Sequence, residues 1–112
     1  MERLTWSKTE KKIARAAYDK AYLAQCQRIV STLRDRVAAL DDPRDVWQID
    51  DFLRQKRKEV DATFDFRYSV LVFVFVQLIA DGLITMDDLA GLREDKIEGV
   101  QRILDIRRAA QE

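Results

Sequence analysis

The sequence predicts an all-α fold: two long helices followed by a short C-terminal helical head, assembled as a helical homodimer. Three observations carry this. Three glycines and one proline punctuate 112 residues, too few turn formers for a many-stranded sandwich or barrel. Apolar side chains recur at steps of three and four rather than two. Between Pro43 and Gly82 there is neither proline nor glycine. A chain of this length makes one domain, which divides into a stalk over about 7–67 and a head over about 68–108.

The first helix is expected from about Ser7 to Leu40. Ser7-Lys-Thr-Glu10 has capping-box spacing, in which the hydroxyl accepts from one orphan amide and the glutamate reaches back to the cap. Tyr22, Cys26, Ile29, Leu33, Val37 and Leu40 then follow one helical stripe. Asp41, Asp42 and Pro43 close this helix and open the next, with Asp42 as N-cap and Pro43 at the first helical position.

The second helix carries Ile49, Leu53, Val60, Phe64, Leu71, Phe75 and Leu78 at helical period. Its basic patch, Arg54, Lys56, Arg57 and Lys58, falls where a stripe residue is due. The run from Tyr68 to Val76 is rich in β-branched and aromatic residues, which favour strands. No second strand exists to pair with it, so it reads as a helix buried on most sides. An unbroken helix from Pro43 would be on the order of 57 Å long, and a joint is expected between Thr63 and Arg67. Ala80-Asp-Gly82 ends the helix, with Gly82 supplying the left-handed residue. Thr85-Met-Asp-Asp88 starts a short helix, and a terminal one ends near Arg108.

Composition narrows the function. Apolar residues make up 47% and charged residues 36% of the chain, a balance that fits a globular domain and not a disordered one. Basic and acidic residues balance at zero net charge, against a nucleic-acid partner. The longest apolar run, Val70 to Ala80, is far short of the roughly 20 residues that span a bilayer, so no membrane insertion is expected. A lone cysteine and the absence of an apolar leader lead to the expectation of a reducing, cytoplasmic location.

No histidine is present, which removes the commonest general base and metal ligand. Cys26 lies on the first helix's stripe, as a structural thiol would. Asp41/Asp42 and Asp87/Asp88 sit at helix starts, where capping accounts for them. No glycine-rich phosphate loop occurs. Neither an enzyme nor a cofactor is expected.

The remaining chemistry is a patch on the second helix. Trp47, Asp51 and Arg54 share a face at i, i+4 and i+7, and Asp50 lies four residues before Arg54, as an exposed ion pair would. Asp51 and Arg57, six apart, point about 120° away from each other and cannot pair within the helix. Two antiparallel copies about a two-fold axis could bring them together across chains, and tryptophan and arginine are enriched at interface hot spots. Phe73 and Phe75 point in directions about 160° apart on a helix; both can be core, or one can face a partner.

At these residues the sequence resembles the fluorescence recovery protein family of cyanobacteria. The carrying strings are Val46-Trp-Gln-Ile-Asp-Asp-Phe-Leu-Arg-Gln-Lys-Arg-Lys-Glu-Val-Asp61, Tyr68-Ser-Val-Leu-Val-Phe-Val-Phe75 and Asp81-Gly-Leu83, with weaker likeness at Trp6-Ser7, Asp87-Asp-Leu89 and Asp95-Lys96. The resemblance implies a homodimer with a long-helix stalk. It also implies a non-enzymatic role: binding the photoactivated, red form of the orange carotenoid protein and speeding its return to the resting form, which ends quenching at the phycobilisome antenna. It assigns Trp47, Asp51 and Arg57 to the dimer and partner-binding patch, to which the spacing adds Asp50 and Arg54, and it places Phe73 in a head-region partner contact, with Phe75 as the other candidate. An association with the thylakoid would then come through the partner. Two positions depart from the family pattern: Asp50 stands where a histidine is common, and Gly99 where a lysine is common.

Overall fold

Residues 4–111 are described by a computed structural model, and among them every regular element is helical. The helices are α1 (Lys8–Ala38), α2 (Val46–Thr63), α3 (Leu71–Ala80) and α4 (Glu94–Gln111), with 3-10 turns over Pro43–Asp45 and Met86–Leu89. The molecule measures 55 × 36 × 24 Å.

The start of α1 is fixed by its capping box. The Glu10 amide donates to Ser7 Oγ at 3.2 Å and the Ser7 amide to Glu10 Oε1 at 3.0 Å. At its far end the helix stops at Ala38, two residues before the expected Leu40. Asp42 does cap the next turn, accepting from the Arg44 amide at 2.9 Å. Proline leads that turn, which is 3-10, and α2 proper begins at Val46.

From there α2 runs back along α1, with the Arg36 guanidinium 4.3 Å over the Phe52 ring and Tyr22 edge-on to Phe64 at 5.3 Å. The stripe expected on α2 is not its buried face. Leu53 is exposed, Ile49 is half-buried, and Phe52 is the one buried residue of the helix.

The continuous second helix does not exist. It ends at Thr63, and α3 begins at Leu71, so the joint falls in the expected region but extends past Arg67. The reason is an alternation. Phe64 leaves the helix with extended backbone (φ −89°, ψ 95°), and extended chain sends every second side chain to one face. Phe64, Phe66 and Tyr68 all turn towards α1. They form an unbroken series of ring contacts, Trp6–Tyr68–Phe66–Tyr18–Phe64–Tyr22, with centroids 4.9–5.5 Å apart. Asp65 and Arg67, the intervening residues, pair with each other at 2.6–3.0 Å. Aromatic edge-to-face packing, about 0.5–1.5 kcal/mol per pair beyond area burial, outweighs the lost helical turns.

The head core gathers Leu71, Val72, Val74, Phe75, Val76 and Leu78 of α3, Val100 and Leu104 of α4, and Leu83, Ile84, Leu89 and Leu92 between them. Ala14, Ala17 and Ala21 complete it. The first half of α1 is therefore a wall of the head, and a stalk counted from residue 7 shares its first helix with that head. On α1 the buried stripe is these alanines, which admit close approach. Tyr22 and Val37 of the expected stripe are exposed, and Cys26 is half-buried. Gly91 (φ +99°) continues the close approach, since a Cβ there would lie 2.6 Å from Ile13 Cδ1. Gly82 ends α3 with φ +73°, and the Leu83 amide reaches back to the Leu78 carbonyl, as a left-handed cap requires.

Polar contacts pin α1 to the head along its length. Lys20 donates to Asp88 at 2.7 Å, and Arg28 donates to the carbonyls of Asp81 and Gly82 at 2.7 and 3.2 Å. The contact nearest the start of α1 is the deepest. Lys96 and Glu10, 0% and 2% exposed, form an ion pair at 2.8 Å. Lys96 also lies 4.8 Å over the Trp6 ring, and Glu10 accepts from the Arg93 amide. Burial pushes the Glu10 carboxyl up. The hydrogen bonds from Arg93, Lys96 and Ser7 outweigh this and bring it down to about 2.

Candidate functional site

Outside this core, the candidate residues lie on α2 and α3. Trp47, in the first turn of α2, is 71% exposed, far more than a tryptophan with a packing role within one chain. Asp50 pairs with Arg54 at 2.8 Å, the i, i+4 geometry expected from the spacing. Both are solvated, so the pair contributes only a few tenths of a kcal/mol.

Asp51 and Arg57 are exposed and make no ion pair among the described residues. Leu53, Arg54, Arg57 and Lys58 line an open groove of about 510 Å³. An apolar floor at Leu53 with cations at its edge suits a protein surface better than a small molecule, because nothing encloses it. Lys56 turns aside, bonded to Glu59 at 3.1 Å. The patch thus presents Trp47, Asp51, Leu53 and Arg57 to solvent on one helix. Val30 and Val37 of α1 and Val46 of α2 are also exposed.

The two phenylalanines separate. Phe73 is 60% exposed, whereas Phe75 is fully buried. The expectation of Phe75 as a partner contact is therefore corrected: its ring lies in the head core and presents nothing outside it. Phe73 borders a second groove, of about 320 Å³, lined by Ala62, Thr63, Asp65, Val70, Val74, Gln77 and Arg107.

Gly99 lies inside α4 beside Val72, whose Cγ1 would be 3.6 Å from an added Cβ. Sequence reasoning missed Lys96 as a buried group. The signal was present, since Lys96, Val100 and Leu104 follow one stripe at steps of four. Among the described residues no cluster of His, Cys, Asp and Glu is placed to hold a metal, and no helix is long and apolar enough to cross a membrane.

The family model for the photoprotection regulator fluorescence recovery protein matches residues 6–104. The chain is 36% identical over 91 residues to the fluorescence recovery protein of Synechocystis sp. PCC 6803, covering 81% of this chain and 84% of that one. Solved structures agree. The Fremyella diplosiphon fluorescence recovery protein superposes with a TM-score of 0.80 at 38% identity, covering 90% of this chain and 98% of that one. The Synechocystis protein gives 0.80 at 34% identity, covering 88% and 96%. With an all-helical fold shared at this level and a family match over almost its whole length, the chain belongs to the fluorescence recovery protein family of photoprotection regulators.

Proposed function

We infer that the protein is a homodimeric, non-enzymatic regulator that binds the photoactivated orange carotenoid protein and accelerates its return to the resting form, ending photoprotective quenching. Family membership over residues 6–104 carries this reading. The α2 patch supports it: Trp47, Asp51 and Arg57 are presented without partners among the described residues of their own chain. Binding can accelerate the return if the patch prefers the states through which the target's two domains come back together. In the dimer, Asp51 of one copy meets Arg57 of the other. Phe73 supplies a second contact from the head.

The test is the dark recovery rate of photoactivated orange carotenoid protein with and without this protein. An acceleration of about tenfold or more, lost in Arg57→Leu, is the expected result. No acceleration from a folded dimer would overturn the reading.

One observation favours a second reading, a dimeric adaptor of the same fold with another partner. Asp50 engages Arg54 at 2.8 Å, adding a carboxylate to the patch and withdrawing one of its cations. An unchanged carotenoid-protein recovery rate, with self-association intact, is the outcome that adaptor reading expects.

A further inference from the structure

The start of α1 is tied to the head through a single carboxylate. Glu10 Oε1 accepts from the Ser7 amide at 3.0 Å, while Oε2 accepts from the Arg93 amide at 3.0 Å and from Lys96 Nζ at 2.8 Å. The Arg93 guanidinium stands 3.8 Å from Oε1. Ser7 belongs to the capping box of α1, whereas Arg93 immediately precedes α4 and Lys96 lies in its first turn. One side chain thus caps two helices. The α4 side suits an anion on two counts: a free amide at a helix start, and an ammonium that has no exposed surface. Asp95 also touches that ammonium, at 3.5 Å, but it is solvated and bonds the Lys96 amide instead.

Trp6 covers this arrangement. Its ring lies 4.8 Å from Lys96 Nζ and 5.5 Å from the ring of Tyr68, the last aromatic of the joint before α3. The indole Nε1 is buried and finds no acceptor among the described residues. An unsatisfied donor opposes its own burial, because swinging outwards restores its hydrogen bond to water. Leu4 and Thr5, which precede the ring, are exposed.

We propose that the start of α4 is a carboxylate socket, made by the Arg93 amide and the Lys96 ammonium, in which Glu10 is a detachable internal ligand and Trp6 the lid. Residues 6–10 then form a latch. When it opens, α4 loses its cap and Tyr68 loses a neighbouring ring in one step. The stalk contact of Arg36 on Phe52 stays in place. The donors select the class of occupant: an anion with two oxygens bonds the amide and the ammonium together, and chloride, with a single centre, does not reproduce this. Formate carries the carboxylate of Glu10 without its tether. In the intact protein the tethered group excludes such anions through its high effective concentration.

The first test uses the intact protein, labelled with ¹⁵N. One carboxylate protects the Ser7 and Arg93 amides, so native-state hydrogen exchange should give both the same protection factor, about tenfold or more below that of the core amides of α3. Trp6→Ala should lower the two together and leave the amides of α2 unchanged. Unequal protection of the two amides, or protection equal to that of α3, would overturn the latch. The second test vacates the socket. Glu10→Ala is titrated with sodium formate and with sodium chloride at equal ionic strength, read by the Arg93 amide resonance and by Tm. Formate should move the resonance saturably and raise Tm where chloride does not, and adding Lys96→Met should abolish the difference. The wild-type protein, its socket filled, should show no such difference. Should Glu10→Ala be unfolded without an added anion, formate should restore the helical circular dichroism that chloride leaves absent. An equal response to the two salts, or none, would overturn the socket.

Discussion

The head and the stalk are built from the same helix on opposite principles. Around the first half of α1, the head encloses a core of aliphatic side chains and Phe75, and also buries a complete ion pair, Lys96 with Glu10. Along the second half of α1 and α2, Phe52 is the buried residue, and Val30, Val37, Val46, Trp47 and Leu53 face solvent. A buried charge is tolerable where it is paired; an exposed tryptophan and valines on a rigid helix suit a surface that another protein covers. The head gathers most of its large apolar side chains into a core, and the stalk leaves most of its own at the surface.

The strongest way to break this contrast is to remove the charge on Glu10. Glu10→Gln leaves the buried Lys96 ammonium with only the more distant Asp95 carboxylate, at 3.5 Å, a loss of about 3 kcal/mol, measured by urea denaturation. A loss below about 1 kcal/mol would mean that the pair does not hold the head together. Acid acts on the same carboxyl. Its folded value, about 2, lies below its ordinary 4.5, so its contribution is complete above pH 4.5 and is lost as the pH falls towards 2. The contribution is on the order of 3 kcal/mol. Glu10→Gln should flatten the dependence of stability on pH in that window.

A smaller effect is expected from the stalk. Arg57→Glu should raise the dissociation constant of the proposed dimer about tenfold, read by sedimentation. Adding Asp51→Arg should restore part of the affinity, and a double variant no more dimeric than Arg57→Glu alone would dispose of the cross-chain pair. Neither change should move the urea midpoint of the head when measured at fixed dimer occupancy.

The smallest effect sharpens the contrast from the other side. Gly99→Ala adds a methyl at ordinary contact distance from Val72 and removes a flexible residue from inside α4. It should stabilise the head by about 0.5–1 kcal/mol, read as a rise in Tm, with self-association unchanged.

The sequence made the helices legible through their ends. Ser7 with Glu10, Asp42 with Pro43, and Gly82 all act where their side chains or backbone freedom require. The joint was legible in place but not in kind. Phe64-Asp-Phe66-Arg-Tyr68 alternates aromatic and charged residues, a period-two signal that the longer helical pattern on either side masked. The buried faces of α1 and α2 were misassigned for one reason: helical periodicity reports apolar stripes, and the larger residues lie on stripes that are half-buried or exposed, while the alanines that form the head's wall weigh little in any hydrophobic pattern. Lys96 was hidden because a lysine on an apolar stripe reads as an interruption until its partner, 86 residues earlier in the chain, is located. At the candidate site, spacing alone anticipated the Asp50–Arg54 pair. It could not choose between Phe73 and Phe75, because α3 packs on nearly all sides and only the positions of α4 and the joint decide which ring escapes.

Since α1 forms a wall of both halves, it also sets the angle between them. Each residue of an α-helix turns the chain by about 100° and advances it by about 1.5 Å. Inserting one residue between Ala21 and Val30 would leave the head's alanines seated and the valines apolar, yet it would rotate the open face of the stalk a quarter-turn or more away from Phe73. Composition and helix propensity would scarcely register the change. The length of that segment is thus a phase constraint, and any partner that spans the stalk and the head reads it as a bearing.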